Sequence, residues 1–233
     1  MPARDNIKVS YSDTAVIIPA YNPSQELFFL CTELIKENFS VFIVNDGSNE
    51  TSIFKRLAEL QVTVIHHPVN LGQGAALETG IRKALENNKS LFVTFDADGQ
   101  HSPLSVLNLL QVLQQEKVDI VFGSRFLNKK FGTAVPKLKR ATLKLATVFD
   151  GLLTGIWLTD SHNGLRAFNR KVASAIHFTE NRMAHATEIL WLVKKNEWKH
   201  KECGVLVHYG GKSQHPFRSI EIAIDLFLRK LIS

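Results

Sequence analysis

Cysteine is scarce in this chain of 233 residues: only Cys31 and Cys203 occur, too few for a disulfide framework and without metal-ligand spacing, so a reducing, cytoplasmic setting is expected. No stretch approaches the roughly 18 uncharged apolar residues that a bilayer-crossing helix needs. The first residues, MPARDNIK, lack the apolar run of a secretory signal. An integral membrane protein is therefore not expected. Repeats and low-complexity tracts are absent too. Acid is missing from one place in particular. Between Asp119 and Asp150 there is no Asp or Glu, while Arg125, Lys129, Lys130, Lys137, Lys139, Arg140 and Lys144 all fall there. Such a block attracts phosphate groups or anionic lipid surfaces, although a solvated basic face is the plain alternative. Nucleic acid is not expected as a partner, because aromatic interleaving and nucleic-acid motifs are lacking.

What the chain does contain is ordinary for a globular protein: 45% apolar and 21% charged residues, at a length that suits one large domain. Its first 125 residues alternate between two patterns. Short β-branched and aromatic runs read as buried strands at Ala15 to Ile18, Val41 to Val44, Val62 to Ile65, Leu91 to Phe95 and Asp119 to Phe122. Helical patterns separate them at Ser24 to Glu37, Thr51 to Leu60, Gln73 to Asn87 and Pro103 to Gln115. Uniformly apolar strands alternating with helices imply an α/β fold with a mostly parallel central sheet and helices on both faces. Beyond Arg125 the reading is a helix from Lys137 to Leu153, a loop from Thr159 to Asn169 and a helix from Ala184 to Lys195. A strand at Gly204 to His208 and a final amphipathic stretch from Ile220 to Ile232 follow. That last stretch packs on its own domain or lies on a membrane surface.

In open α/β sheets ligands sit outside the carboxyl ends of the strands. The segments there are Pro19-Ala-Tyr-Asn22, Asn45-Asp-Gly-Ser48, His66 to Gly74, Asp96 to His101 and Gly123-Ser-Arg125. Asp96 and Asp98 flank one residue and have glycine behind them, which puts two hard oxygen donors on a tight turn. Mg²⁺ and Mn²⁺ prefer such donors and complete their shells with water and substrate phosphate. An Asp-x-Asp tripeptide is elsewhere just a loop or a cap; Gln100, two residues on, favours the metal reading, and His101 stands ready to join. Asp46 is suited to accept from a base N–H and Gly47 to a sharp turn, or the pair is simply an Asp-Gly turn. Tyr21 is placed to stack on a base, and Asn70 to Gly74 open a helix whose orphan N–H groups suit phosphate.

These segments carry a resemblance. PAYN, VNDGSNETS, NLGQGAALETG, FDADGQHSP and GSRF stand in the order of the motifs of family 2 glycosyltransferases with the GT-A fold, across residues 14 to 126. TDSHNGLRAF extends the match to about residue 170. The nearest group resembles the polyprenyl-phosphate sugar synthases typified by dolichol-phosphate mannosyltransferase. The resemblance implies a single GT-A domain over residues 1–233, with a nucleotide-binding half at about 12–126 and an acceptor-binding half at about 127–217. A C-terminal amphipathic helix would complete it at about 218–233. It further implies that Pro19, Tyr21, Asn22, Asp46, Gly47, Asn70, Gly74 and Asp96 face the nucleotide, and that Asp96, Asp98 and Gln100 hold Mg²⁺ or Mn²⁺. Arg125, Arg140 and Arg166 would then meet the acceptor.

Three positions depart from the family pattern: Pro23 replaces a Glu, Asn45 an Asp and Gln73 a common Lys. They leave the donor base open. The expected reaction is inverting transfer of a hexose from a nucleotide sugar to a lipid phosphate or a glycan, with Asp98 and Arg125 in catalytic roles. A phosphate acceptor is already ionised, whereas a sugar hydroxyl needs a base, for which Asp160 and Glu188 are candidates. Asp160 serves equally well as a cap. A non-catalytic nucleotide-sugar-binding subunit is the reading of another class. The expected location is cytoplasmic, peripheral at the inner face of the plasma membrane.

Overall fold

The computed structural model describes residues 11–127, 135–179 and 184–207. A seven-stranded sheet runs through it: β1 (Thr14–Ala20), β2 (Ser40–Asp46), β3 (Val62–His67), β4 (Leu91–Thr94), β5 (Ile120–Ser124), β6 (Arg166–Asn169) and β7 (His200–Gly204), in the order β3-β2-β1-β4-β6-β5-β7. Four of the six pairings are parallel; β6 runs antiparallel to both β4 and β5. The helices are α1 (Glu26–Lys36), α2 (Ser52–Ala58), α3 (Gln73–Glu86), α4 (Leu104–Gln115), α5 (Lys137–Thr154), α6 (Arg170–Ala175) and α7 (His185–Lys195).

The apolar strands need cover on both faces, and they receive it. Successive side chains of a strand point to opposite faces, so Val16, Ile18, Ile43, Val93 and Val121 pack with Leu27, Phe54 and Leu109 on one side. Ile17, Phe42, Phe92, Phe122 and Phe168 pack with Leu77, Val172 and Leu190 on the other. Phe92 of β4 and Phe168 of β6, paired in register, stack with ring centroids 5.8 Å apart. Ser102 accepts the Leu104 amide at 3.3 Å as α4 begins, and α5 starts after Pro136 and stops at Gly155, whose φ of +74° is the left-handed cap.

The first five strands and the helices between them lie within two residues of their expected limits. Two elements differ. The expected loop from Thr159 to Asn169 contains β6, whose four residues carry a fully buried arginine where a strand pattern calls for an apolar side chain. Strand β7 lies at His200–Gly204 rather than from Gly204 to His208, and its half-exposed, charged residues have no alternation to read. The expected C-terminal helix lies outside the described residues.

Inserting β6 antiparallel between β4 and β5 sets Arg166 opposite both Thr94 and Phe122. The chain entering β6 therefore passes directly beside the residues that leave β4. Phe92→Ala should cost about 3–5 kcal/mol, the range for a buried aromatic truncated in a core. Urea unfolding should show a lower midpoint with an unchanged slope.

Candidate active site

The carboxyl ends of β1 to β5 share one edge, and hydrogen bonds bind their loops together. The Asn22 amide, in a residue with φ +46°, donates to Ser48 Oγ at 2.9 Å, and Asn22 Oδ1 accepts from the Asn49 amide at 2.9 Å. Asn45 uses both ends of its amide: Oδ1 accepts from the Ser48 amide at 2.9 Å, and Nδ2 pairs with His66 Nδ1 at 3.0 Å. The aspartate expected there could not donate to the ring, so the departure at Asn45 has a local partner in His66. Pro19 and Tyr21 lie at the same edge, with Tyr21 exposed.

Asp46 is buried, and its oxygens are occupied from within the protein. The Leu71 and Gly72 amides donate to it at 2.9 and 2.8 Å, and His67 Nδ1 at 2.8 Å. This carboxylate thus fastens the loop that opens α3, including two amides that looked suited to phosphate. Gly47, with φ +70°, is required beside it, since a Cβ would fall on the Val69 backbone. Asn70 is exposed on that loop and Gly74 is buried in the first turn of α3.

Asp96 leaves β4 half-buried. Gln73 Nε2 donates to its Oδ1 at 3.0 Å, so the Gln that replaces the common Lys gives a neutral contact to this carboxylate. Gly164 presses against it so closely that a Cβ would land on the carboxylate itself. Thr94 Oγ1 holds the Gly164 carbonyl in place at 2.7 Å. Burial raises the Asp96 pKa, and the cations of Arg166 and Arg125 and the Gln73 contact oppose the rise. Asp98 is exposed, and its Oδ1 accepts the Gln100 amide at 3.0 Å. Desolvation and the neighbouring Asp96 charge raise its pKa as well. His101 is buried edge-on to Phe95 and its pKa is pushed down to about 4 by burial, so it is neutral at ordinary pH.

Two arginines and a lysine surround this acid pair. Arg166, expected to line the acceptor cleft, is instead fully buried in the sheet, with Nη2 donating to the Ser161 carbonyl at 3.4 Å. Burial pushes its pKa down to about 10, which keeps it protonated, and Asp96, Asp160 and Asp150 act to hold the charge. Arg125 is nearly buried. Its Nε and Nη2 donate to Asp160 Oδ2 and Oδ1 at 2.6 and 2.7 Å, and its own amide donates to Oδ2 at 3.0 Å. The carboxylate expected to act as a base is therefore the buried counter-ion of Arg125, with a guanidinium N–H on each oxygen. Glu188 is likewise engaged, accepting from the Thr179 amide and hydroxyl at 2.8 and 2.6 Å. Arg140 is half-buried on the first turn of α5, next to Lys139. The Lys139 pKa falls through desolvation and the nearby Arg125 cation, while Asp98 opposes the fall.

Several contributors were not legible in the sequence. Gly164 fell in the expected loop from Thr159 to Asn169 and Lys139 in the basic block, with no role assigned to either. Glu202 lay outside the expected strand. It accepts the Thr159 and Asp160 amides at 2.9 and 3.2 Å and so fixes the loop that carries Asp160.

Among the described residues, no group of three or more His, Cys, Asp and Glu could enclose a metal ion. The donor set instead fits a hard divalent cation bound by two carboxylates and completed by water and phosphate oxygens, the usual arrangement for Mg²⁺ or Mn²⁺ on phosphate substrates. Burial raises both carboxylate pKa values, and the Asp96 charge adds to the rise at Asp98; a cation there relieves both.

Paired acids with cations beside them at the carboxyl ends of the strands are an arrangement suited to phosphate groups, and the sequence comparison gives the class of enzyme. Residues 15–176 match the profile of glycosyl transferase family 2, and the chain belongs to that family. The chain is 30% identical over 237 residues to the UDP-N-acetylglucosamine–dolichyl-phosphate N-acetylglucosaminyltransferase of Methanococcus voltae, covering 93% of this chain and 94% of that protein. It is 29% identical over 170 residues to the polyprenol monophosphomannose synthase of Mycolicibacterium smegmatis, covering 70% of this chain and 64% of that protein. A crystal structure of glucosyl-3-phosphoglycerate synthase from Mycobacterium tuberculosis, in complex with Mn²⁺, UDP and phosphoglyceric acid, superposes with a TM-score of 0.69 at 15% identity, over 92% of this chain and 75% of that one. It shares the GT-A fold. The protein is a family 2 glycosyltransferase, close to the enzymes that act on polyprenyl phosphates.

If Asp160 is the anchor of Arg125, Asp160→Asn should destabilise the protein by about 3 kcal/mol, the low end for breaking a buried ion pair. A carboxylate serving only as a base would leave thermal stability within about 0.5 kcal/mol of the parent.

Proposed function

We propose that this enzyme transfers a hexose from a nucleotide sugar to a polyprenyl-phosphate acceptor, with inversion at the anomeric carbon. The observation that carries the reading is the charge arrangement at the sheet edge: Asp96 and Asp98 at the tip of β4, a buried Arg166 behind them, and Arg125 and Lys139 beside them. When bound, a divalent cation at the acid pair neutralises charge growing on the departing nucleoside diphosphate, a contribution of several kcal/mol in the transition state. Asp96 is held in register for that task by Gln73 and Gly164. Tyr21 and the Asn22–Ser48 bridge shape the floor for the nucleoside.

The acceptor side follows from Lys139 and Arg125. These two cations stand in one another's field, and the repulsion contributes to lowering the lysine pKa. An anion between them removes that cost, which favours a phosphate acceptor over a neutral sugar hydroxyl. A phosphate monoester is ionised near neutral pH and attacks without a base. With Asp160 paired to Arg125 and Glu188 to Thr179, the two carboxylates weighed as bases for transfer to a sugar hydroxyl both have internal partners. The M. voltae relative makes UDP-N-acetylglucosamine the first donor to try.

The test is a panel of nucleotide sugars incubated with Mn²⁺, with and without a polyprenyl phosphate, and read as labelled sugar in the lipid fraction. One donor should give a product that depends on both metal and lipid phosphate. Asp98→Ala should lower turnover by at least about a thousandfold, the scale of several kcal/mol in a barrier, while melting like the parent. Near-parent turnover in that variant overturns the site, and transfer to a saccharide alone overturns the acceptor.

A further inference from the structure

Helix α5 is built inside out. The face it turns to the protein is largely polar or small: Thr142, Ala146, Thr147, Asp150, Gly151 and Thr154 are buried there, with Leu143 as the one large apolar side chain. Asp150 explains that face, accepting from the Ser161 hydroxyl at 2.6 Å and the Thr187 hydroxyl at 2.8 Å. The opposite face is apolar. Leu138, Leu145 and Leu152 are exposed to 63%, 63% and 70%, with Val148 between them. With the exposed Ala141 between Leu138 and Leu145, these positions recur every three or four residues, so they form one stripe, roughly 20 Å long from Leu138 to Leu152 at the α-helical rise. Trp157, 62% exposed, lays its indole across Gly151 at the far end of that stripe. A surface helix of a soluble protein has the reverse pattern, and a contiguous exposed apolar stripe marks a binding face.

We propose that this face of α5 docks the enzyme on an anionic lipid surface; the inference rests on the polyprenyl-phosphate reading above. Charge selects the occupant. Asp150 is the sole acidic residue of α5 and points inward, while Lys137 and Lys144 are exposed beside the stripe. An apolar stripe whose exposed charged neighbours on the same helix are lysines, with a tryptophan at one end, matches the boundary between headgroups and acyl chains. A second copy of the chain would bring its lysines against these, a repulsion that the lipid surface turns into attraction. The stripe also starts at the site: Leu138 adjoins Lys139, which feels the charges of Asp98 and Arg125. Docked this way, the enzyme meets the phosphate of a lipid whose chain stays in the bilayer. No helix among the described residues is long and apolar enough to cross a membrane.

Flotation of the full chain with vesicles of phosphatidylcholine alone, or with added phosphatidylglycerol, tests the proposal. The parent should float with the anionic vesicles, and Leu145→Glu/Leu152→Glu should weaken that partitioning on the order of a hundredfold, since two leucines no longer leave water. Both positions are exposed, so the variant should melt like the parent. Turnover on a short, water-soluble polyprenyl phosphate should be equal in the two proteins, and turnover on a vesicle-embedded acceptor should fall in the variant alone. Equal flotation of parent and variant, no flotation of the parent, or a parent dimer that the variant dissociates would each overturn the docking face. If neither protein glycosylates the soluble acceptor, the transfer reading fails, while flotation still decides the docking face.

Discussion

A carboxylate partly withdrawn from water at the end of a strand resists ionisation unless a positive charge lies close by. Asp96 is in that position, and the protein answers with Arg166, a guanidinium buried in the neighbouring strand. A buried cation is itself costly to maintain and is retained where acids surround it. Asp96, Asp160 and Asp150 do so here. Much of the site's architecture follows from this mutual dependence. The strand that carries Arg166 must run antiparallel between β4 and β5, its entry must pass against Asp96 without a side chain at Gly164, and Thr94 must pin that entry.

The same principle organises the outer ring. Asp160 neutralises Arg125, and Glu202 orders the Asp160 loop through backbone amides. Asp46 gathers the loop that opens α3, from which Gln73 reaches Asp96. Each acid that could have faced a ligand but is buried holds a loop in place. The pair left toward the open edge is Asp96 and Asp98. This division explains how a sheet edge rich in charge remains ordered while leaving room for a ligand's own phosphates.

The strand and helix pattern of the first half was legible because buried parallel strands are apolar runs and the helices between them are periodic. The site's acid pair was legible for a related reason, as strand ends are where ligands collect. Less could be read after Arg125. Strand β6 is four residues long and begins with a buried arginine, so no apolar pattern announces it. Asp160, Arg166 and Asp46, expected to face substrate, each make internal contacts that residue type alone did not announce. Residue type and spacing show that a charge is present; which charge neutralises which depends on strand order.

The account holds that the protein supplies two carboxylates to the metal and the nucleotide supplies the rest. A Mn²⁺ titration followed by electron paramagnetic resonance, with and without a nucleoside diphosphate, tests this most directly. Binding should be weak for the ion alone and tighten by at least about tenfold, or about 1.4 kcal/mol, when the diphosphate is present. Equal affinity in the two titrations, or no bound Mn²⁺ in either, would contradict it.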